Sequence, residues 1–96
     1  MQDLPAILVL GVEFHLSGCR SLKERRARLG GLRDRFGRNP RIALCEHPGD
    51  DPETSRWTFV ITGSDPRAVS ALAGEVERDL ESRVDAVVTE LIRERL

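Results

Sequence analysis

The sequence is poor in aromatic residues and contains no long apolar run. Only 4% of its 96 residues are aromatic, three Phe and one Trp, and Tyr is absent. The longest apolar run, residues 4–12, is far shorter than the roughly 20 residues of a membrane-spanning helix. No basic segment precedes this run and no small-residue cleavage site follows it, so we expect neither a membrane segment nor a signal peptide.

Cysteine and the common enzyme motifs are equally scarce. The two cysteines lie outside any C-x-x-C pattern, which argues against a disulfide framework and favours a reducing cytoplasm. The sequence has no P-loop, no dinucleotide-binding G-x-G-x-x-G motif and no G-x-S-x-G nucleophile motif. We therefore predict a non-enzymatic cytoplasmic protein that carries no cofactor.

The sequence does contain a strong separation of charge, which the net charge of −1 conceals. Residues 20–41 hold nine Arg and Lys against two acids, whereas residues 42–96 hold twelve acids against six Arg. Charge asymmetry of this kind indicates a polyanionic or acidic partner.

The first part of the chain predicts a strand followed by a helix. Residues 6–16 place apolar side chains on one face and a mixture on the other, as in a central strand with one partly covered face. Ser21 and Glu24 form a capping-box pattern, which predicts the start of a helix. Gly30 and Gly31 weaken the middle of this helix, and a local bend is expected there.

The rest of the chain predicts three strands and a second helix. Strands are expected over residues 41–46 and 56–62, separated by an acidic, proline-rich loop. Asp65 and Pro66 begin the second helix as N-cap and first-turn residue. Residues 84–91 fit a helix by spacing and a strand by propensity. We choose the strand because it completes a β-α-β-β-α-β order.

This order predicts one α+β domain over residues 1–96, a ferredoxin-like βαββαβ sandwich. Two helices would cover one face of a four-stranded antiparallel sheet, and the other face would stay open. The apolar members of that open face would be Ile7, Val9, Ala43, Cys45, Val60 and Val87. Because such a patch usually marks an interface, the alternative function is a homodimeric protein-interaction module that uses this face.

The first helix is the leading candidate for a binding surface. Its basic residues away from the apolar stripe are Lys23, Arg28, Arg35 and Arg38. Their spacing suits contacts with successive phosphates of a nucleic-acid backbone. Aromatic side chains are missing beside them and on the open sheet face, so stacking readout of the RRM kind is not expected. We predict RNA or ribosome association that does not read sequence; a merely solvated helix face is the other interpretation.

Arg25 differs from these residues because it falls within the apolar stripe of the helix. Glu46, at the end of the second strand, would lie at the same sheet edge. Buried charges are usually paired, so we predict a structural ion pair between Glu46 and either Arg25 or its neighbour Arg26.

Two His and two Cys residues would lie toward one end of the sheet: His15, Cys19, Cys45 and His47. Their spacings, H-x3-C and C-x-H, are not those of a standard zinc finger. We therefore expect separate residues and no metal site.

The sequence RSLKERR at residues 20–26 resembles the helix start of the YlxP-like family of short bacterial proteins. Glu46 matches an acid at the end of that family's second strand, and Ser64 with Asp65 matches the turn into its second helix. The resemblance covers nearly the whole chain in element order, and it implies a ferredoxin-like fold with an open sheet face. The family's genes tend to lie beside translation and ribosome-maturation genes, which implies RNA or ribosome association.

The chain departs from that family between residues 47 and 56. Members often carry an aromatic residue followed by Gln-Arg before the third strand, whereas this stretch is acidic and proline-rich. A function that depends on this loop in the family is therefore not expected of this protein.

Overall fold

The computed structural model describes residues 5–96, and the first four residues of the predicted domain lie outside that range. The elements are β1 (Ala6–His15), α1 (Leu22–Leu29), α2 (Gly31–Phe36), β2 (Ile42–Glu46), β3 (Thr54–Gly63), α3 (Pro66–Ser82) and β4 (Val87–Arg95). The strands form one antiparallel sheet in the order β2-β3-β1-β4. The predicted α+β class with a four-stranded antiparallel sheet is confirmed.

The first predicted helix consists of two consecutive segments, α1 and α2, which meet at Gly30. Ser21 caps α1, because its Oγ accepts a hydrogen bond of 3.0 Å from the backbone N–H of Glu24. The Glu24 carboxylate accepts in turn from the backbone N–H of Arg20 at 2.7 Å, one residue before the cap. This bond is the main reason why the pKa of Glu24 is lowered.

The C-terminal segment is a strand, but it spans Val87–Arg95 rather than residues 84–91. Its register against β1 shifts between Glu13 and Phe14, which leaves Thr89 as an extra residue. Because of this bulge, Val88 and Leu91 both pack against the core although they are three residues apart. The irregular spacing that resembled a helix in the sequence is therefore the spacing of a bulged strand.

The hydrophobic core lies between the sheet and the helices. The apolar face predicted for the first strand is buried as expected. The core contains Leu8, Leu10, Val12 and Phe14 of β1 and an apolar stripe of α3, namely Val69, Leu72, Ala73, Val76 and Leu80. The rings of Phe36 and Phe59 meet edge to face with centroids 5.6 Å apart, which joins α2 to β3. No helix among residues 5–96 has the length and apolar character needed to cross a membrane.

Two glycines, one in the first strand and one in the turn after it, differ in whether their backbone conformation requires glycine. Gly18 follows β1 with φ +73°, the left-handed region in which a side chain is strained. Gly11 lies inside β1 without a positive φ, and a Cβ atom there would meet nothing within 4 Å. The turn therefore requires glycine, whereas the packing of this chain leaves room for a side chain at residue 11.

We expect Gly18→Ala to lower the free energy of unfolding by about 1 kcal/mol, because a Cβ atom strains the left-handed conformation. Gly11→Ala is the matched control and should raise the free energy of unfolding by about 0.5 kcal/mol, because alanine suits a strand better than glycine. Urea unfolding of both variants measures the difference. Equal losses in the two variants would contradict the requirement at Gly18.

Candidate nucleic-acid interface

Two of the four predicted RNA-binding residues make contacts within the chain. Arg28 Nε lies 3.1 Å from Asp85 Oδ2, and its Nη1 donates a hydrogen bond of 3.0 Å to the carbonyl of Ser17. Arg35 Nη1 lies 2.9 Å from Asp79 Oδ2 on α3. The prediction considered the positions of basic residues around the first helix alone, and it could not include carboxylates that other parts of the chain bring close. Arg28 and Arg35 therefore hold the first two helices against their neighbours.

The other two predicted residues, Lys23 and Arg38, are exposed. Within residues 5–96 neither has a carboxylate oxygen within 4 Å, and the same holds for the exposed Arg26 and Arg33. Sequence reasoning did not assign Arg26 and Arg33 to the binding surface. We call the set of Lys23, Arg26, Arg33 and Arg38 the free cations.

Arg26 and Arg33 border a pocket of about 200 Å³ at the junction of α1 and α2. We call it the Trp57 pocket; its lining consists of Arg26, Leu29, Gly30, Arg33, Glu46 and Trp57. The Cζ atom of Arg33 lies 5.4 Å from the centroid of the Trp57 ring, within the range of a cation–π contact. This contact restrains one guanidinium group at the edge of the pocket.

Arg25 is buried, with 6% of its surface exposed. Its Nη1 donates to the carbonyls of Asp51 at 2.8 Å and Thr54 at 3.0 Å. Its Nε lies 3.6 Å from Glu46 Oε2, which is an ion-pair contact but too long for a hydrogen bond. The structure thus places Arg25 next to Glu46, whereas Arg26 lines the pocket beside it.

A short chain of hydrogen bonds fixes the Glu46 carboxylate. Trp57 Nε1 donates to Ser55 Oγ at 2.9 Å, and the Ser55 hydroxyl donates to Glu46 Oε2 at 2.7 Å. Within the described part of the chain, the second oxygen, Oε1, accepts no hydrogen bond. Glu46 therefore presents one acceptor oxygen that has no donor among residues 5–96, on a side chain that is 18% exposed.

The open face of the sheet is only partly apolar. Of its predicted apolar members, Ile7, Val9 and Val60 are partly buried and Ala43, Cys45 and Val87 are exposed. Ile92, which was not among them, is 55% exposed and pairs in register with Gly11. A shallow groove of about 160 Å³ runs over Gly11.

Arg56 and Glu90 border this groove, and Glu13 lies beside it as the partner of Arg56. Glu13 Oε2 lies 3.0 Å from Arg56 Nε, and the Thr89 hydroxyl donates to Glu13 Oε1 at 3.1 Å. The bond from Arg56 is the largest cause of a lowered Glu13 pKa. A lowered carboxyl pKa means that the contribution of this pair is present above the ordinary pKa of glutamate. The contribution is lost as the pH falls through the lowered value.

The two His and two Cys residues, which were expected to be separate, have different surroundings. Cys19 is buried, and burial raises the pKa of its thiol, whereas Cys45 is exposed. His47 Nε2 lies 2.6 Å from the Thr58 hydroxyl. Across residues 5–96, no group of three His, Cys, Asp or Glu side chains is arranged to hold a metal ion.

Comparison with known proteins gives a family and little else. Residues 7–93 match the family described as "Protein of unknown function (DUF503)". No curated protein matches the chain significantly. Among solved structures, the de novo designed protein Ferredog-Diesel is similar at 17% identity and a TM-score of 0.43, over 98% of this chain and 89% of that one. A TM-score this low does not define a shared fold, and the YlxP-like name stays a prediction.

Removal of the Glu46 carboxylate tests its contact with Arg25. We expect Glu46→Ala to lower the free energy of unfolding by about 3 kcal/mol, because Arg25 remains buried without its counter-charge. Glu13→Ala removes the partner of the exposed Arg56 and should cost clearly less. Urea unfolding of both variants, with Arg25→Met and Arg25→Met/Glu46→Ala completing a double-mutant cycle, measures the coupling. A cycle with no coupling energy would refute a stabilising pair.

Proposed function

The chain belongs to DUF503, a protein family of unknown function, and we propose that it is a non-enzymatic RNA- or ribosome-associated protein. The proposal rests on one observation, the division of basic residues around α1 and α2. Arg25, Arg28 and Arg35 are held by carboxylates or carbonyls of the chain. The free cations have no such carboxylate partner among residues 5–96 and remain available to an external anion.

The acidic half of the chain supports the same proposal. On α3, Asp79 contacts Arg35 and Arg83, and Glu77 contacts Arg93. Several acids are thus already paired with arginines, and they lie on elements other than α1 and α2. A strand of RNA on the free cations would gain counterion release from each phosphate that it places there. Such contacts position a strand without reading its sequence.

We also infer that the domain is ferredoxin-like and works in the cytoplasm. The strand order β2-β3-β1-β4 supports the fold, because each helical connection passes over one strand and returns parallel to its start. The two cysteines are free thiols, as a reducing compartment allows.

A triple variant of the free cations tests RNA binding. For four phosphate contacts, log K should fall with log salt at a slope of about −3 for a labelled single-stranded RNA. We expect Lys23→Gln/Arg26→Gln/Arg38→Gln to reduce the slope to about −1 and to weaken binding. Fluorescence anisotropy over a salt series measures both quantities.

The matched control, Arg67→Gln/Arg78→Gln/Arg95→Gln, removes the same charge from exposed positions on α3 and β4. This control variant should retain most of the slope of log K against log salt. Equal slopes in the two triple variants, or no binding by the parent at low salt, would refute the proposal.

A second candidate function is the homodimer through the open sheet face, and Gly11 is the observation that favours it. A strand glycine that the chain's own packing does not require is typical of a close approach by another molecule. Ile92 stands beside the groove at Gly11 and is 55% exposed. In a two-fold dimer, Ile92 of each copy would enter the Gly11 groove of the other.

Ile92→Lys tests this dimer. If two copies pack through the open face, the parent sediments as a dimer and the variant as a monomer, because a charge replaces the apolar side chain in the groove. Ala71→Lys on the exposed side of α3 is the control and should leave the dimer intact. A parent that is monomeric at all concentrations in analytical ultracentrifugation would rule out this candidate.

A further inference from the structure

The Trp57 pocket combines three kinds of surface. Leu29 and Trp57 supply apolar walls, two guanidinium groups stand at its border, and the Glu46 carboxylate forms part of its lining. Its volume of about 200 Å³ is smaller than the roughly 300 Å³ at which sites for drug-sized ligands begin. The pocket therefore suits a small group rather than a large ligand.

The charges of the pocket restrict what can enter it. A carboxylate or phosphate group inside would meet the Glu46 carboxylate, which is already fixed by the Ser55 hydroxyl. An ionised carboxylate only accepts hydrogen bonds, so the group inside must be a donor. The two arginines at the border favour negative charge outside the pocket. A neutral, flat donor joined to flanking phosphates meets all of these conditions.

We propose that the Trp57 pocket binds one unstacked base of a single-stranded RNA, with Glu46 accepting a hydrogen bond from the exocyclic amino group of the base. This inference rests on the proposed function, because phosphate contacts with the free cations bring the strand to the pocket. It adds base selection to a surface that otherwise contacts only the backbone. Cytosine, adenine and guanine carry such an amino group, whereas uracil does not.

The state of Glu46 supports this assignment. Its Oε2 accepts from Ser55 and lies beside Arg25, while Oε1 has no protein donor within residues 5–96. Because the carboxylate is held in place before any ligand arrives, the Glu46 side chain loses little conformational entropy when a donor binds to it. Glutamate is a known acceptor for the cytosine amino group. Uracil would place a carbonyl oxygen there and leave two acceptors facing each other.

Arg33 provides the second contact. Its guanidinium group lies near the Trp57 ring, with Cζ 5.4 Å from the ring centroid. Bases that are splayed out of a single strand stack on arginine planes as well as on aromatic rings. Arg33 thereby supplies a stacking surface in a region where Trp57 itself is only 3% exposed.

The experiment compares labelled oligocytidine and oligouridine of equal length at neutral pH, since the two bases are similar in size and differ at the amino position. We expect the parent to bind oligocytidine about tenfold more tightly, as one hydrogen bond to a charged acceptor allows. The salt slopes for the two oligonucleotides should be equal, because the phosphate contacts are the same.

Two variants identify the residues responsible. Glu46→Gln should lose most of the preference for cytosine, provided that circular dichroism shows it to be folded at the assay temperature. Arg33→Lys keeps the positive charge but removes the planar guanidinium group on which the base would stack. This variant should therefore weaken oligocytidine binding severalfold, with an unchanged slope of log K against log salt. Arg78→Lys, on the exposed surface of α3, is its control and should leave both quantities unchanged.

The outcomes separate this inference from the proposed function. Equal affinity of the parent for both oligonucleotides, with a steep salt slope, would overturn the base pocket and leave backbone binding in place. A folded Glu46→Gln variant that keeps the full preference, or an Arg33→Lys variant indistinguishable from Arg78→Lys, would also overturn it. If the parent binds neither oligonucleotide at low salt, the proposed function fails together with the pocket.

Discussion

The region around the candidate site depends on the contacts of the buried Arg25 guanidinium group. From α1 it donates to the carbonyls of Asp51 and Thr54, and it lies beside the Glu46 carboxylate at the end of β2. One side chain thus joins a helix, the acidic loop and an edge strand. A buried cation without these partners would be strongly destabilising. The loop thus contacts α1 through the Asp51 carbonyl, while pairing of Glu46 with Trp57 across β2 and β3 places the carboxylate at the Trp57 pocket.

The same physical rule divides the remaining cations into two groups. Where a carboxylate of another element lies within reach, as for Arg28 and Arg35, the cation holds two parts of the fold together. Where the neighbouring surface within residues 5–96 offers Trp57 or solvent instead, as for Arg33 and Arg38, the cation has no carboxylate partner in that part of the chain. Under the proposed function, structure and recognition would therefore use different side chains of one basic segment, and the two uses could be altered separately.

Much of the fold could be predicted from the sequence because patterns among neighbouring residues indicate most of its strands and helices. The alternation of β1, the cap at Ser21 and the stripe of α3 each follow from neighbours along the chain, and each appears in the structure. The bounds of β4 could not be predicted in this way. They depend on an extra residue, Thr89, whose place is set by pairing with β1, and this bulge produces a spacing that a helix also has.

For the candidate site, the sequence alone shows that a basic segment follows the first strand and that Arg25 lies among apolar neighbours. It also determined the scarcity of aromatic side chains that argues against an RRM-type sheet surface. The folded chain is needed to see which arginines have carboxylate partners and that Arg26, Arg33, Glu46 and Trp57 border one pocket. The reason is that capping and periodicity act over a few residues, whereas these side chains come from separate elements and meet only once the helices pack on the sheet.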